Sequence, residues 1–394
     1  MDGYISALSG KRKPYRAFAL TLAILVSLTV SGCVTTARVA YTARDAAVAY
    51  IDGFENIRAY VDASRASLGD QAQWVPLTSA KTLNILCLSG GGSGGAFTVG
   101  VLSAWSDKQT RPVFDVVTGV STGALIAPYA FLGSTYDTEL SELYTGGQAK
   151  ELIDARWMGT GLLGTSILKG ERLRQMISKY ITNGVLQQIA AEHRRGRRLF
   201  VLTTNLDSQR GVVWNMGAIA SSGQPEALTL FRDVLIASAS IPGVFPAVTI
   251  KAKAGSKQIE ELHSDGGAST QFLGLPEAVL ASPIKSNFPT KQRLNIYVVV
   301  NNALIPEFAT TNNSTISVAG RSYATMVKSQ TKQALLALYN HSQRTGSRLR
   351  IASIDQQIPY KMLDPFNTDY MRAVFADGYS QTVVGKVWKE TPVF

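Results

Sequence analysis

From Leu83 onward, short runs of apolar residues alternate with segments whose apolar positions recur at helical spacing. The runs Leu83 to Leu88, Val113 to Val117, Leu199 to Thr203, Ile259 to Leu262 and Leu294 to Val300 predict strands, because unbroken apolar runs of this length suit strands covered on both faces. Between them, Gly133 to Val185 reads as a helical excursion, and Ile316 to Tyr339 as one long helix bearing Met326, Ala334, Leu335 and Leu338. The alternation implies an α/β fold: a central, mostly parallel sheet flanked by helices on both faces. Reactive residues in such a sheet belong at the carboxyl ends of its strands.

Before Leu83 the pattern is different. Lys11, Arg12, Lys13 and Arg16 precede an apolar stretch from Ala17 to Val30, closed by Ser31-Gly32-Cys33, which is the order of a secretory signal over residues 1–32. Val30-Ser31-Gly32-Cys33 also resembles the bacterial lipoprotein box, which implies that Cys33 is lipidated and anchors the mature chain. An uncleaved membrane helix competes with this reading, but Ala17 to Gly32 falls short of the ~20 apolar residues a span needs. Several acyl chains on one cysteine hold a membrane firmly, at roughly 0.8 kcal/mol per buried CH₂. Val34 is not the aspartate that retains some lipoproteins at the inner membrane, so the resemblance implies the outer membrane of a bacterial envelope, facing the periplasm. Residues 33–80 then form a tether with one or two helices, in which Tyr50, Ile51, Phe54, Ile57 and Tyr60 recur at helical spacing. Residues 81–394 read as one domain without internal repeats.

Charge changes this picture little. The chain has 39 Lys+Arg against 28 Asp+Glu, a net of +11. Residues 1–32 hold four of the basic residues and one of the acids, so their removal leaves 35 against 27, or +8. A basic surface favours anionic lipid head groups. It favours nucleic acid equally, but the densest cluster, His193-Arg194-Arg195-Gly196-Arg197-Arg198, has no interleaved aromatics to stack bases and reads as a solvated loop, so no nucleic-acid partner is expected. With Cys33 lipidated, Cys87 has no disulfide partner and, within Ile85-Leu86-Cys87-Leu88, reads as a small core hydrophobe.

The chemistry concentrates at two glycine-framed turns. Gly119-Val120-Ser121-Thr122-Gly123 follows an apolar run, and a strand ending in GxSxG that opens a helix holds one serine hydroxyl out of the sheet. Gly90-Gly91-Gly92-Ser93-Gly94-Gly95 follows the run before it and offers bare backbone N–H groups at a helix start, which a developing oxyanion needs. The pair points to acyl transfer. A serine hydroxyl also needs a base. None of the three histidines, His193, His263 and His341, has a motif-like setting, whereas Ser264-Asp265-Gly266-Gly267 places a carboxylate after a strand and before a glycine turn.

The ordered set Gly90-Gly91-Gly92-x-x-Gly95, Gly119-x-Ser121-x-Gly123 and Asp265-Gly266-Gly267 resembles the patatin-like phospholipase family, over roughly Leu83 to Gly267. The stretch Ala237-Ser238-Ala239-Ser240-Ile241-Pro242-Gly243 is similar to the helix end that precedes the aspartate strand in that family, and Tyr370 to Phe375 with Gly378-Tyr379 to its C-terminal helix. The resemblance implies that Ser121 is the nucleophile, Asp265 its dyad partner, and Gly90, Gly91 and Gly92 the oxyanion hole, with Thr122 a further donor; the substrate would be a lipid ester, with no cofactor and no metal. One position departs: members often carry Arg or Lys where this chain has Gly94.

Other readings stay open at this level. Gly90-x-Gly92-x-x-Gly95 with Asp115 downstream fits a dinucleotide fingerprint, although the strand of Asp115 leads straight into the Ser121 turn. An α/β-hydrolase-type esterase using His341 as base, or an idle lipid- or partner-binding lipoprotein, are the other classes. Within the excursion, Trp157, Met158, Leu162, Leu163, Ile167 and Leu168 form an apolar segment suited either to core packing or to an acyl pocket, and Asn301-Asn302 ends a strand near the site.

Overall fold

The computed structural model describes residues 38–63, 73–152, 170–275, 280, 292–356, 358 and 366–394. The elements below lie in one compact unit, Val39–Asp154 with Ser166–Phe394. Cys33 and the Trp157 to Leu168 segment fall outside the described residues.

Nine strands form one mixed sheet: β1 (Arg58–Tyr60), β2 (Thr82–Leu88), β3 (Val116–Val120), β4 (Arg198–Asn205), β5 (Arg210–Asn215), β6 (Val248–Ala254), β7 (Lys257–Asp265), β8 (Arg293–Val300) and β9 (Arg348–Ser353). The parallel body has the order β4-β3-β2-β8-β9, and β5 and β1 extend it antiparallel beyond β4. Pleating sends alternate residues of β2 to opposite faces. Leu83, Ile85 and Cys87 join one apolar cluster and Leu86 and Leu88 the other, so the unbroken run seen in the sequence serves two cores. Burial pushes the Cys87 thiol up to about 12, as expected of a core hydrophobe.

The described residues also form ten helices: α1 (Ala43–Ala47), α2 (Gly95–Asp107), α3 (Thr122–Leu132), α4 (Asp137–Thr145), α5 (Gly170–Tyr180), α6 (Asn183–Arg194), α7 (Met216–Ser221), α8 (Ala227–Ser238), α9 (Thr315–Thr345) and α10 (Thr368–Val383). One face of the sheet carries Phe97 and Leu102 of α2, Ile126 of α3, Val234 of α8 and Val374 of α10; the other carries Leu335 and Leu338 of α9 with Phe272 and Leu273. None of the described helices is long and apolar enough to cross a membrane.

One detail of register builds the site. β3 ends at Val120, opposite Leu202 of β4, but β4 continues to Asn205. Beyond Val120 the vacated side of β4 is taken by β7, arriving antiparallel with Asp265 opposite Thr203 and His263 opposite Asn205. Two strands therefore meet end to end along β4, one leaving at Ser121 and the other arriving at Asp265.

Three expectations need correction. The strand placed at Val113 to Val117 begins three residues later, and Val113 itself is exposed. Between residues 50 and 60 there is no helix: Gly53 turns the chain at φ 78°, Tyr50 bridges to Lys253, and Arg58–Tyr60 pairs with Val212–Trp214 as an edge strand. Ile51, Phe54 and Ile57 do reach the core, so burial was legible while the element type was not. Finally, the basic cluster is half internal. Arg198 is buried on the His193 and Arg197 carbonyls, and the Arg197 guanidinium lies 4.3 Å over the Phe131 ring while its Nε donates to the Phe114 carbonyl at 2.7 Å.

Candidate active site

Ser121 caps α3 at the end of β3 with φ 55° and ψ −124°, a backbone conformation that costs an L-residue on the order of 1–3 kcal/mol. The surroundings enforce it. A Cβ on Gly119 would sit 2.5 Å from the Gly123 carbonyl oxygen, and one on Gly123 would sit 2.4 Å from that of Leu88. The two framing glycines thus let strand and helix close around the serine. The Ser121 N–H donates to Ser238 Oγ at 3.1 Å, and Ser238 in turn donates to the Leu202 carbonyl at 2.6 Å.

Asp265 is buried, and its Oδ1 accepts the Gly267 N–H at 2.7 Å. Its Oδ2 has no hydrogen bond of full geometry in the protein. Burial pushes the carboxyl up to about 7, with the Ser121 hydroxyl and the Gly267 N–H pulling the other way. Gly266 is required by space: a Cβ there would sit 2.4 Å from the Leu202 carbonyl oxygen. The Asp265 N–H donates to the Ser240 carbonyl at 3.0 Å. Ser238 and Ser240, two residues apart, therefore hold the backbones of Ser121 and Asp265 respectively.

The glycine-rich loop sits against both. Gly90 approaches so closely that a Cβ on it would lie 3.3 Å from Ser121 Cβ. Its N–H is spent on the Gln271 carbonyl at 3.0 Å, so Gly90 supplies close approach and not an oxyanion donor. Gly91 caps a 3₁₀ turn over Gly92–Gly94 with φ 149°, and at this start the N–H groups of Gly91 and Gly92 have no intrahelical partner. Thr122 likewise begins α3, and its hydroxyl lies 2.8 Å from that of Tyr144, which is buried with its phenol pKa raised by desolvation.

Asn301, at the end of β8, sets the loop. Its N–H donates to Ser89 Oγ at 2.9 Å, its Nδ2 to the Ser89 carbonyl at 2.8 Å, and its Oδ1 accepts from Thr98 at 2.6 Å. Its own carbonyl oxygen would lie 2.1 Å from a Cβ on Gly94 and 2.5 Å from one on Gly91. The glycine at the departing position is thus imposed by Asn301: no side chain fits there while the loop keeps this path.

The three histidines lie elsewhere. His263 is buried between Thr203 Oγ1, 2.9 Å from Nδ1, and Glu261, 3.2 Å from Nε2. Arg58 grips the same Glu261 with both terminal nitrogens. Burial works to raise Glu261, but the His263 hydrogen bond and the Arg58 charge outweigh it and hold the carboxyl down to about 2. His193 faces Gln73, and His341 lies in the last turns of α9, where the chain returns to the opposite edge of the sheet to begin β9. Among the described residues, no histidine hydrogen-bonds Ser121 or Asp265.

Ser121, Thr122 and Gly92 form the polar end of an apolar pocket. Its walls include Leu125 and Tyr129 of α3, Leu143 and Tyr144 of α4, Leu173 and Met176 of α5, Leu235 of α8, and Phe245, Phe366 and Met371. The helical excursion does cover the serine, through α4 and α5. Motif reading named Ser121, Asp265 and the glycines, which the fold brings together, and passed over Ser238, Ser240 and Tyr144, which contact Ser121, Asp265 and Thr122 respectively; the sequence marked the Ser238-Ala239-Ser240 stretch only as a flank.

A patatin-like phospholipase domain-containing protein from Meyerozyma guilliermondii is 26% identical over 228 residues, covering 54% of this chain and 29% of that protein. A relative of the same description from Cryptococcus neoformans var. neoformans is 28% identical over 212 residues, covering 52% and 22%. The chain thus spans less than a third of the length of these curated relatives. Among solved structures, VipD from Legionella pneumophila matches with TM-score 0.39 and 12% identity over 77% of this chain and 66% of that one. The type III effector ExoU matches with TM-score 0.34 and 13% identity over 78% and 53%. The patatin-like phospholipase family model matches residues 86–292, 207 of the 394, which takes in both glycine turns, Ser121 and Asp265, and the chain belongs to that family.

Proposed function

We propose that the protein is a lipid acyl hydrolase that cleaves carboxylic esters through a Ser121–Asp265 dyad. The observation that carries this reading is the buried Asp265 carboxyl, pushed up to about 7, with one oxygen unpaired beside the strained serine. An ordinary aspartate is a weak base at neutral pH, and burial removes that weakness by matching its pKa to the medium. Asp265 takes the Ser121 proton as the alkoxide attacks the ester carbonyl. The oxyanion is held by the N–H groups of Gly91, Gly92 and Thr122. The proton passes from Asp265 to the departing alcohol, leaving an acyl-serine. Water then attacks the acyl carbon, giving its proton to Asp265, and the proton returns to Ser121 as the fatty acid leaves. The apolar pocket behind Thr122, walled by side chains such as Leu125, Leu143, Leu173 and Phe245, takes the acyl chain.

The location of His341 at the far end of α9 speaks against an esterase that uses it as base. On the lipoprotein-box resemblance, we further propose that Cys33 is lipidated and holds the enzyme at a bacterial outer membrane. Fluorophosphonate labelling tests the nucleophile: the wild-type protein reacts and Ser121→Ala does not. Loss of phospholipid hydrolysis by about 10⁴-fold or more accompanies it. Labelling that persists in Ser121→Ala overturns the dyad. Cys33→Ser, followed by fractionation, tests the anchor: the variant leaves the membrane fraction if the acyl chains hold it there.

A further inference from the structure

Helix α9 is much longer than the strands it connects. Its 31 residues span about 46 Å, whereas the eight residues of β8 span about 26 Å. The surplus overhangs at its amino end. No described residue of α9 before Thr331 is buried. Because α9 starts where β8 ends, the overhang lies beyond the edge of the sheet that carries Ser121 and Asp265.

This overhang and the loop leading into it are nearly uncharged, and large apolar side chains stand exposed among their serines, threonines and asparagines. Phe308 is 99% exposed, and Ile305, Val318, Tyr323 and Met326 are exposed with it. Of the 23 residues from 305 to 327, only Glu307 and Arg321 carry charge, against the roughly 25–35% expected on a solvated surface. Glu307 is countered by Lys328 at 3.8 Å. Arg321 and Lys328 donate to the main-chain carbonyls of Glu307 and Ile305, pinning the loop on the helix so that Phe308 projects from a braced platform.

The platform adjoins the catalytic turn. Gln330 accepts from Gln271 Nε2 at 3.1 Å, and the same amide donates to the Gly267 carbonyl at 2.7 Å. Tyr323 lies seven residues before Gln330, on the same stripe of the helix.

We propose that the overhang, from Ile305 to Met326, is the surface on which the protein seats on a bilayer, next to the turn that follows Asp265. Two observations select a lipid surface over a folded partner or a second copy. The patch keeps one positive charge, Arg321, beyond the Glu307–Lys328 pair in a chain of net +11, which suits anionic head groups, and Ile305, Phe308 and Met326 stand exposed beside it as apolar groups that a bilayer interface takes up. The described chain also begins near this edge: Tyr41 donates to Asp207 at 2.7 Å, in the turn after the carboxyl end of β4, and upstream of it the sequence carries the apolar stretch Ala17 to Val30. The choice of a bilayer rests in part on the lipid ester reading above, so the test is one of binding, made in protein that cannot turn over.

The experiment uses the full chain carrying Ser121→Ala and Cys33→Ser, which leaves Cys87 as a buried thiol. A fluorophore is attached at Thr310→Cys on the platform or, as control, at the exposed Val113→Cys on the opposite edge of the sheet. Phosphatidylethanolamine–phosphatidylglycerol vesicles with brominated acyl chains are then added. The expected result is quenching at position 310 and none at 113. Removing Phe308 and Met326 together (Phe308→Ser, Met326→Ser) weakens binding about tenfold or more while leaving hydrolysis of a short, soluble ester unchanged in the Ser121 protein. Equal responses at the two positions, absence of vesicle binding, or a concentration-dependent change at 310 without vesicles each overturn the proposal. Inactivity on every ester with quenching intact sinks the catalytic reading alone.

Discussion

The strand end that carries Ser121 and the strand end that carries Asp265 lie side by side on β4, yet they are held by different physics. Ser121 stands on parallel β3, where packing does the holding: glycines at 119 and 123 admit carbonyl oxygens to within a side chain's space, and the serine's backbone absorbs the strain. Asp265 ends an antiparallel hairpin arm held by charge and hydrogen bonds, with Arg58, Glu261, His263 and Thr203 locked just upstream of it. Ser121 is therefore sensitive to added volume, and Asp265 to lost charge.

The largest effect expected on this contrast comes from Asp265→Asn, which lowers kcat by about 10⁴-fold while raising stability at pH 8. The sign follows from linkage. The folded carboxyl titrates near 7 and the unfolded one near 3.8, so the fold disfavours the charged form. That cost is absent below pH 4, grows as pH rises to 7, and is then constant at about 4 kcal/mol, which urea denaturation across this window reads directly. The same group makes kcat/KM rise about tenfold per pH unit below 7 and level off above it. If the rate profile bends near 4 instead, Asp265 is not the tuned base.

Next in size is Arg58→Met, which strands the buried Glu261 without its cation and costs about 3–5 kcal/mol of stability, measured as a fall in the urea midpoint. Gly94→Ala follows, with loss of about 10²-fold in kcat as the loop retreats from Asn301 and takes the Gly91 and Gly92 donors with it. Since Gly94 has φ −61°, a conformation open to any residue, the effect isolates space from backbone freedom. Smallest is His341→Ala, which leaves kcat within about twofold; a large fall would restore the histidine-dependent reading.

How much was legible in the sequence divides along the same line. Leu83 to Leu88 and Leu294 to Val300 stood out because both faces of a parallel strand are covered, so apolar residues run unbroken. β6 went unseen because Thr249 and Lys251 interrupt Val248, Ile250 and Ala252 on an arm with one wet face. The Tyr50 to Tyr60 spacing imitated a helix, since a turn at Gly53 followed by a short strand delivers its apolar residues at similar intervals. In the candidate site, Ser121, Asp265 and the glycines carry local signatures because turn geometry is local. Ser238 is 117 residues from Ser121, and Asn301 is over 200 from the loop it shapes, so neither contact leaves a mark in nearby sequence.

The stretch Ser238-Ala239-Ser240 gives the two strand ends a common reference point. One residue grips the Ser121 backbone through its hydroxyl, and another grips that of Asp265 through its carbonyl, with a single residue between them. Motion of α8 against the sheet then carries Ser121 and Asp265 in the same direction, and their separation changes by less than either displacement. A strained serine and a desolvated carboxylate, each costly to the fold, can thus keep their registration while the molecule around them breathes.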